Sequence, residues 1–268
     1  MSSCVPCHAV GSATVPVVIE RTDDGDVAVL TLAHGPVNAM DPELCEAVAE
    51  AFRALVDDPA RAVVVTGAGR AFSAGADLAR LVSEGEPYAR RFLAALDACF
   101  RSVFTIGKPV VAAVNGHALA GGCVLAACAD VALLAGGTIR LGLPEIAVGV
   151  PFPRGALEVV RFAVGDVAAR RLVLSATAVP PADAVAMGLV EALVPADELL
   201  GAAVARAGAL ADTAPADTFA FTKAQLRRDA VERWDARADE ADGVLELWVR
   251  RAEDGWTARY LESVTRKR

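Results

Sequence analysis

The sequence predicts an α/β core with a helical C-terminal region. Three observations carry that prediction. Short runs such as 61–66 and 110–114 are rich in β-branched residues and lack polar alternation, as strands buried on both faces do. Segments of helical period follow them, separated by loops of small residues. From residue 196 onward only helical patterns remain. Strands that alternate with helices and are then succeeded by helices alone describe an α/β core with an attached helical piece.

Taken in order, residues 1–14 are expected to be a disordered tail. Residues 17–20 and 27–32 read as two strands around the hairpin turn Asp23-Asp24-Gly25-Asp26. The loop Ala33-His34-Gly35-Pro36-Val37-Asn38-Ala39-Met40 leads to Asp41-Pro42, an N-cap followed by proline at the first helical position. That helix should run to about residue 56, with Leu44, Val48, Phe52, Leu55 and Val56 on one face. The strand at 61–66 ends in the small-residue loop 67–78, and an amphipathic helix follows over 87–106. Residues 131–134 and 139–141 read as short strands, and Leu143-Pro144-Glu145-Ile146 opens a loop. Helices are expected over 154–164, from Asp166 to 174 and from Pro180-Pro181 to Gly188, before a last strand at 189–194. The helical region should contain segments over 196–211, 216–228 and 235–251 and a short terminal helix. Its boundary with the core, 15–195, falls near residue 196.

The bulk numbers limit what such a protein can do. Hydrophobic residues make up 54% of the 268, enough for a sizeable core, and the net charge is −8 with a pI near 5.0. There are three lysines (Lys108, Lys223, Lys267) and no basic run, which excludes a phosphate-backbone binder. The apolar stretch 118–135 is interrupted by Asp130 and rich in glycine near its start, so it reads as buried core and no membrane span is expected. The six cysteines do not resemble the framework of a small disulfide-rich domain. With no secretory signal pattern, a cytoplasmic protein is expected. Cys4-Val5-Pro6-Cys7-His8 matches the CxxCH pattern of haem attachment. Its place in the tail makes an inert segment the expectation, and no metal or cofactor is assigned to it.

The chemistry centres on 109–130, PVVAAVNGHALAGGCVLAACAD. It reads as a strand, the turn Asn115-Gly116 and a helix beginning near Gly121-Gly122. Glycines at a helix start let a ligand approach the backbone and leave N–H groups without partners. A second loop, Ser73-Ala74-Gly75-Ala76-Asp77-Leu78, also follows a buried strand.

This pair of loops, with Asn38-Ala39-Met40 before them and Gly142-Leu143-Pro144-Glu145-Ile146 after, resembles the enoyl-CoA hydratase/isomerase (crotonase) family over roughly residues 15–265. The resemblance implies a spiral of strand–strand–helix turns with a C-terminal helical region used for trimerisation, as a homotrimer or a dimer of trimers. It implies an acyl-CoA thioester substrate, with coenzyme A as part of the substrate and no further cofactor. The thioester oxygen would sit between the backbone N–H groups of Ala76 and Gly121. Ala74, Asp77, Leu78, His117, Gly122, Val124 and Phe152 would lie along the substrate. Asp77 can also be read as a helix cap and His117 as a structural partner of the turn. Lys223 would meet a coenzyme A phosphate or remain a solvated lysine.

The acids depart from the family's hydratase pattern. Hydratases of this family use two glutamates. The position of the first is Val124 here, and the second is matched by Glu145. An apolar side chain can neither orient water nor shuttle a proton. A single base is enough to move a double bond, so the expected reaction is conversion of a 3-enoyl-CoA to a 2-enoyl-CoA with Glu145 as base. The alternatives are a hydratase with a different water site, or an acyl-CoA-binding protein without catalysis.

Overall fold

The computed structural model describes residues 18–266; the tail and its Cys4, Cys7 and His8 lie outside them. β1 (Val18–Asp24) and β2 (Val27–Ala33) form the predicted hairpin, turned at Gly25, whose φ is +59°. α1 (Pro42–Ala54) starts where Asp41 caps it, the carboxylate accepting the Leu44 N–H at 2.8 Å. Three strand–strand–helix turns follow. The first is β3 (Ala62–Gly67), β4 (Ala71–Ser73) and α2 (Leu78–Thr105). The second is β5 (Val110–Val114), β6 (His117–Leu119) and α3 (Gly121–Ala127). The third is β7 (Val131–Ala135), β8 (Leu141–Gly142), α4 (Glu145–Val148) and α5 (Arg154–Ser175). β9 (Ala178–Val179), α6 (Pro181–Ala186) and β10 (Ala192–Val194) complete the sheets. Helices α7 (Leu199–Asp212), α8 (Ala216–Ala236), α9 (Glu240–Glu253) and α10 (Trp256–Thr265) end the described chain.

The first strand of each turn enters a six-stranded sheet of order β1-β2-β3-β5-β7-β10, parallel except at β1; the second enters a four-stranded sheet of order β4-β6-β8-β9. The absence of alternation in the large sheet has a direct cause. Val63, Val65, Val110, Ala112 and Val114 face the main core, while Ala62, Val64, Val111 and Ala113 face a second apolar layer with Leu199, Ala203 and Ala207 of α7. α7 therefore covers the outer face of the sheet, so the change of composition at residue 196 is not a packing boundary. Helices α8, α9 and α10 lie over α2, α4 and α5.

Two long helices are broken where glycine takes a positive φ. α2 kinks at Gly85 (φ +66°) and resumes at Pro87, so the helix expected over 87–106 is its second half. α5 breaks at Gly165 (φ +73°), between the two helices expected there. The large aromatics anchor the helical region. Trp234 is fully buried and donates its indole N–H to Asp97 at 2.8 Å, and Gly155 admits its ring where a Cβ would lie 2.1 Å away. Cys45, Cys99, Cys123 and Cys128 are buried free thiols. Among the described residues, no helix is long and apolar enough to cross a membrane.

Candidate active site

The small sheet brings the two glycine loops together. β4 and β6 pair in parallel, Ala71 opposite His117 and Ser73 opposite Ala118, so the loops that leave them run side by side. Asn115 ties the turns: its side chain accepts the Gly67 N–H at 3.0 Å and donates to the Gly69 carbonyl at 3.1 Å. The contact between loops is close enough to require glycine. At Gly75 (φ +82°) a Cβ would lie 2.6 Å from both the Leu119 carbonyl oxygen and the Ala120 Cβ.

The Asn38 motif fixes the first loop from the other side. Asn38 is buried with φ +50°, and its amide donates to the carbonyls of Ala71 (3.1 Å) and Phe72 (3.2 Å). Met40 N–H bonds the Gly75 carbonyl, and Asp77 N–H bonds the Met40 carbonyl. In this parallel bridge the residues on either side of Ala76 supply the bonds, so the N–H of Ala76 is left directed away from Met40. The N–H of Gly121 opens α3 and, like that of Ala76, has no partner among the described residues. Ala120, just before it, holds φ +49°, ψ −126°, outside the favoured regions of a non-glycine residue. Strain of this kind costs about 1–3 kcal/mol and collects at functional positions.

Both N–H groups border a cavity of about 300 Å³. Its walls are Ala74, Ala76, Asp77, Leu78, Gly121, Val124 and Glu145, with Phe92, Leu96 and Phe100 of α2. Helices near the C-terminus add Trp248, Tyr260, Leu261 and Val264. Glu145 begins α4, is 6% exposed, and its Oε2 has no hydrogen-bond partner. Burial pushes its carboxyl up to about 8 from 4.5. Val124 is fully buried in the same wall. Asp77 is committed elsewhere: its carboxylate caps α2 by accepting the Arg80 N–H at 3.0 Å. A buried carboxylate near neutral pKa beside two unpartnered N–H dipoles suits proton transfer next to a carbonyl.

A model of the enoyl-CoA hydratase/isomerase family matches residues 22–258. The chain belongs to that family. It is 34% identical over 219 residues to a probable enoyl-CoA hydratase of Mycobacterium tuberculosis, covering 81% of each chain. A short-chain-enoyl-CoA hydratase of Clostridium acetobutylicum is 31% identical over 202 residues, 74% of this chain and 76% of that one. Among solved structures, human mitochondrial delta3-delta2-enoyl-CoA isomerase superposes with a TM-score of 0.81 at 25% identity, over 94% of this chain and 97% of that chain. The two-sheet spiral is accordingly the crotonase fold of an acyl-CoA enzyme of the enoyl-CoA hydratase/isomerase family.

The structure places four expected substrate contacts outside the lining of this cavity. His117 is exposed outside the cavity, and its Nδ1 accepts the Arg140 N–H at 3.1 Å. Gly122 packs on Ser73, where a Cβ would lie 2.5 Å from the carbonyl oxygen; its role is loop approach rather than ligand contact. Phe152 packs on the main core and does not border the cavity, which Val150 and Pro153 line instead. Lys223 is neither solvated nor free for a phosphate. It is 5% exposed, its ammonium donates to Asp130 and to the Lys108 carbonyl, both at 2.7 Å, and burial lowers its pKa to about 8. Arg227 also binds Asp130, at 2.8 Å. A buried charge of this kind holds α8 to the core, and K223M should therefore cost about 3 kcal/mol of unfolding free energy in urea while leaving the KM for acyl-CoA unchanged.

The wall from α9 and α10 is not legible in the sequence. Trp248 and Tyr260 lie about a hundred residues beyond Glu145, and no motif marks them. Their helical period shows an apolar face but not the surface it meets.

Proposed function

We propose that the protein converts 3-enoyl-CoA thioesters to 2-enoyl-CoA thioesters. The observation that carries this reading is Glu145, a buried carboxylate whose Oε2 has no partner, set in a wall where the other family acid is Val124. The thioester oxygen binds the N–H groups of Ala76 and Gly121. Glu145 takes a proton from C2, next to the carbonyl. The negative charge moves onto the oxygen, where fixed dipoles stabilise it without reorganisation. The electrons of the C3–C4 double bond then collect the proton at C4, leaving a C2–C3 double bond and a regenerated carboxylate. Proton and electrons balance within the substrate, so the reaction requires no redox or metal cofactor.

Phe92, Leu96, Phe100, Val148 and Trp248 make the pocket mostly apolar, which suits an acyl chain and keeps the base poorly solvated. The test is incubation of the purified protein with a 3-enoyl-CoA, followed by the absorbance of the conjugated thioester. Absence of turnover overturns the assignment. A second reading, hydration, is favoured by the names of the mycobacterial and clostridial relatives. It requires that crotonyl-CoA gain water at a rate exceeding isomerisation. The family resemblance also supports a homotrimer, for which exposed Phe162, Val167 and Leu174 offer apolar surface. Sedimentation equilibrium should return three times the 27.6 kDa chain mass, or six times if trimers pair.

A further inference from the structure

The cavity opens on one side, where Ala79 of α2 and Val264 of α10 are exposed, and α2 gives its inner direction. Phe92, Leu96 and Phe100 stand four residues apart on one face of that helix, and all three line the cavity. Leu96 and Phe100 lie beside the second glycine loop: a Cβ on Gly121 would be 3.7 Å from Leu96 and 3.6 Å from the Phe100 ring. Phe92 is one turn away from Leu96, on the side opposite Phe100. There Trp248 of α9 meets it, with ring centroids 5.8 Å apart and planes tilted by 49°. Both rings are buried and backed. The Trp248 indole N–H donates to the Pro151 carbonyl at 3.0 Å, and Tyr88 stacks on Phe92 with centroids 5.8 Å apart and an interplanar angle of 10°. A second cavity, of about 380 Å³, lies between α2 and α9. Leu93, Val244 and Leu245 line it, each next to Phe92 or within one turn of Trp248, and Pro153 borders both cavities. Phe92 and Trp248 border the first cavity and not the second, so with Pro153 they stand as a partition.

We propose that Trp248 is a specificity-determining residue: with Phe92 it closes the acyl end of the cavity and restricts the substrate to short acyl chains. The inference rests on the reading that the thioester binds at the N–H groups of Ala76 and Gly121. An acyl chain that starts there and follows α2 passes Leu96 and has about 6 Å, the rise of one four-residue step, before it meets the two rings. At about 1.5 Å per carbon–carbon bond that is room for roughly four bonds, so an acyl group of about six carbons fills the space. A longer chain must displace a buried ring. Trp248 is held by its indole hydrogen bond and Phe92 by the stacked Tyr88, and a close-packed wall of this kind does not yield without cost. The space that would take a longer chain exists behind the partition, between α2 and α9, and the Trp248 ring separates it from the thioester site.

The test uses saturated acyl-CoAs, which occupy the pocket without a double bond to move. Calorimetry with butyryl-, hexanoyl- and decanoyl-CoA should show affinity rising as far as hexanoyl-CoA and falling at least about tenfold at decanoyl-CoA, the cost of a misfit in a hydrophobic pocket. In an open channel each added buried methylene would instead tighten binding about fourfold. Trp248→Leu stays apolar but removes the ring that separates the two cavities, and should bind decanoyl-CoA at least about tenfold more tightly than wild type does. Wild type that binds decanoyl-CoA as tightly as hexanoyl-CoA overturns the proposal, and that measurement needs no variant. A folded W248L with the wild-type chain-length profile also overturns it. The expected profile in a protein that fails to isomerise 3-enoyl-CoA sustains the proposal and defeats the functional assignment alone.

Discussion

Glu145→Gln should lower turnover of a 3-enoyl-CoA by about 10²–10⁴-fold, the usual worth of a general base, while acyl-CoA binding by calorimetry is preserved. The amide keeps the volume and cannot take a proton. With Val124 in the same wall and the Asp77 carboxylate bound to the Arg80 N–H, no neighbouring carboxylate substitutes for it. Wild-type kcat/KM should rise with pH and level off above about 8, because the working form is the carboxylate and burial raises its pKa to about 8. The same burial sets a stability trend of opposite sense. Between 4.5 and about 8 the folded chain keeps a proton that the unfolded chain releases. That contribution is fully present below pH 4.5 and is lost as pH rises through 8. Each tenfold change in protonation is about 1.4 kcal/mol, so the window approaches an upper limit of about 5 kcal/mol. Melting of E145Q and wild type across this range should show wild type losing ground as pH rises. Parallel curves would contradict a buried carboxyl.

Gly75→Ala should reduce kcat by about 10²–10³-fold, the cost of removing one donor from an oxyanion site. The new methyl meets the Leu119 carbonyl and the Ala120 Cβ, both 2.6 Å away, and φ is +82°. Neither backbone can yield locally, because Met40 N–H holds Gly75 and Gly142 holds Ala120 N–H. The two loops must part, and the N–H groups of Ala76 and Gly121 then no longer converge on one oxygen. The overpacking should also cost about 1–3 kcal/mol of stability. Gly201→Ala serves as control: it lies in α7 with open space around it and should leave activity unchanged. Equal loss in both variants would remove the special status of the loop.

Local chemistry made several parts of this protein legible. Asp41-Pro42 marks a helix start by capping, the runs at 61–66 and 110–114 mark strands covered on both sides, and Glu145 against Val124 marks a one-carboxylate site. The short strands β4, β6 and β9 were not legible. Two or three residues hold no period, and each becomes a strand only by pairing with a distant neighbour. α4 reads as a loop in sequence for the same reason, being a single turn.

Some outcomes depended on which surfaces met. Lys223 looks like a surface cation in sequence, and it is buried because Asp130, 93 residues away, is carried beneath it. α7 shares its composition with the later helices, yet it covers the large sheet because Leu199, Ala203 and Ala207 fit its outer face. The cavity wall from Trp248 and Tyr260 exists because α10 is bonded to the carbonyls of α4. The type of each long element, the glycine loops and the single Glu145 carboxylate follow from residues near one another along the chain, so they can be read before any fold is known. What lies across the cavity from that carboxylate is set by the folded structure, because the pairing of remote surfaces depends on packing and desolvation rather than on local preference.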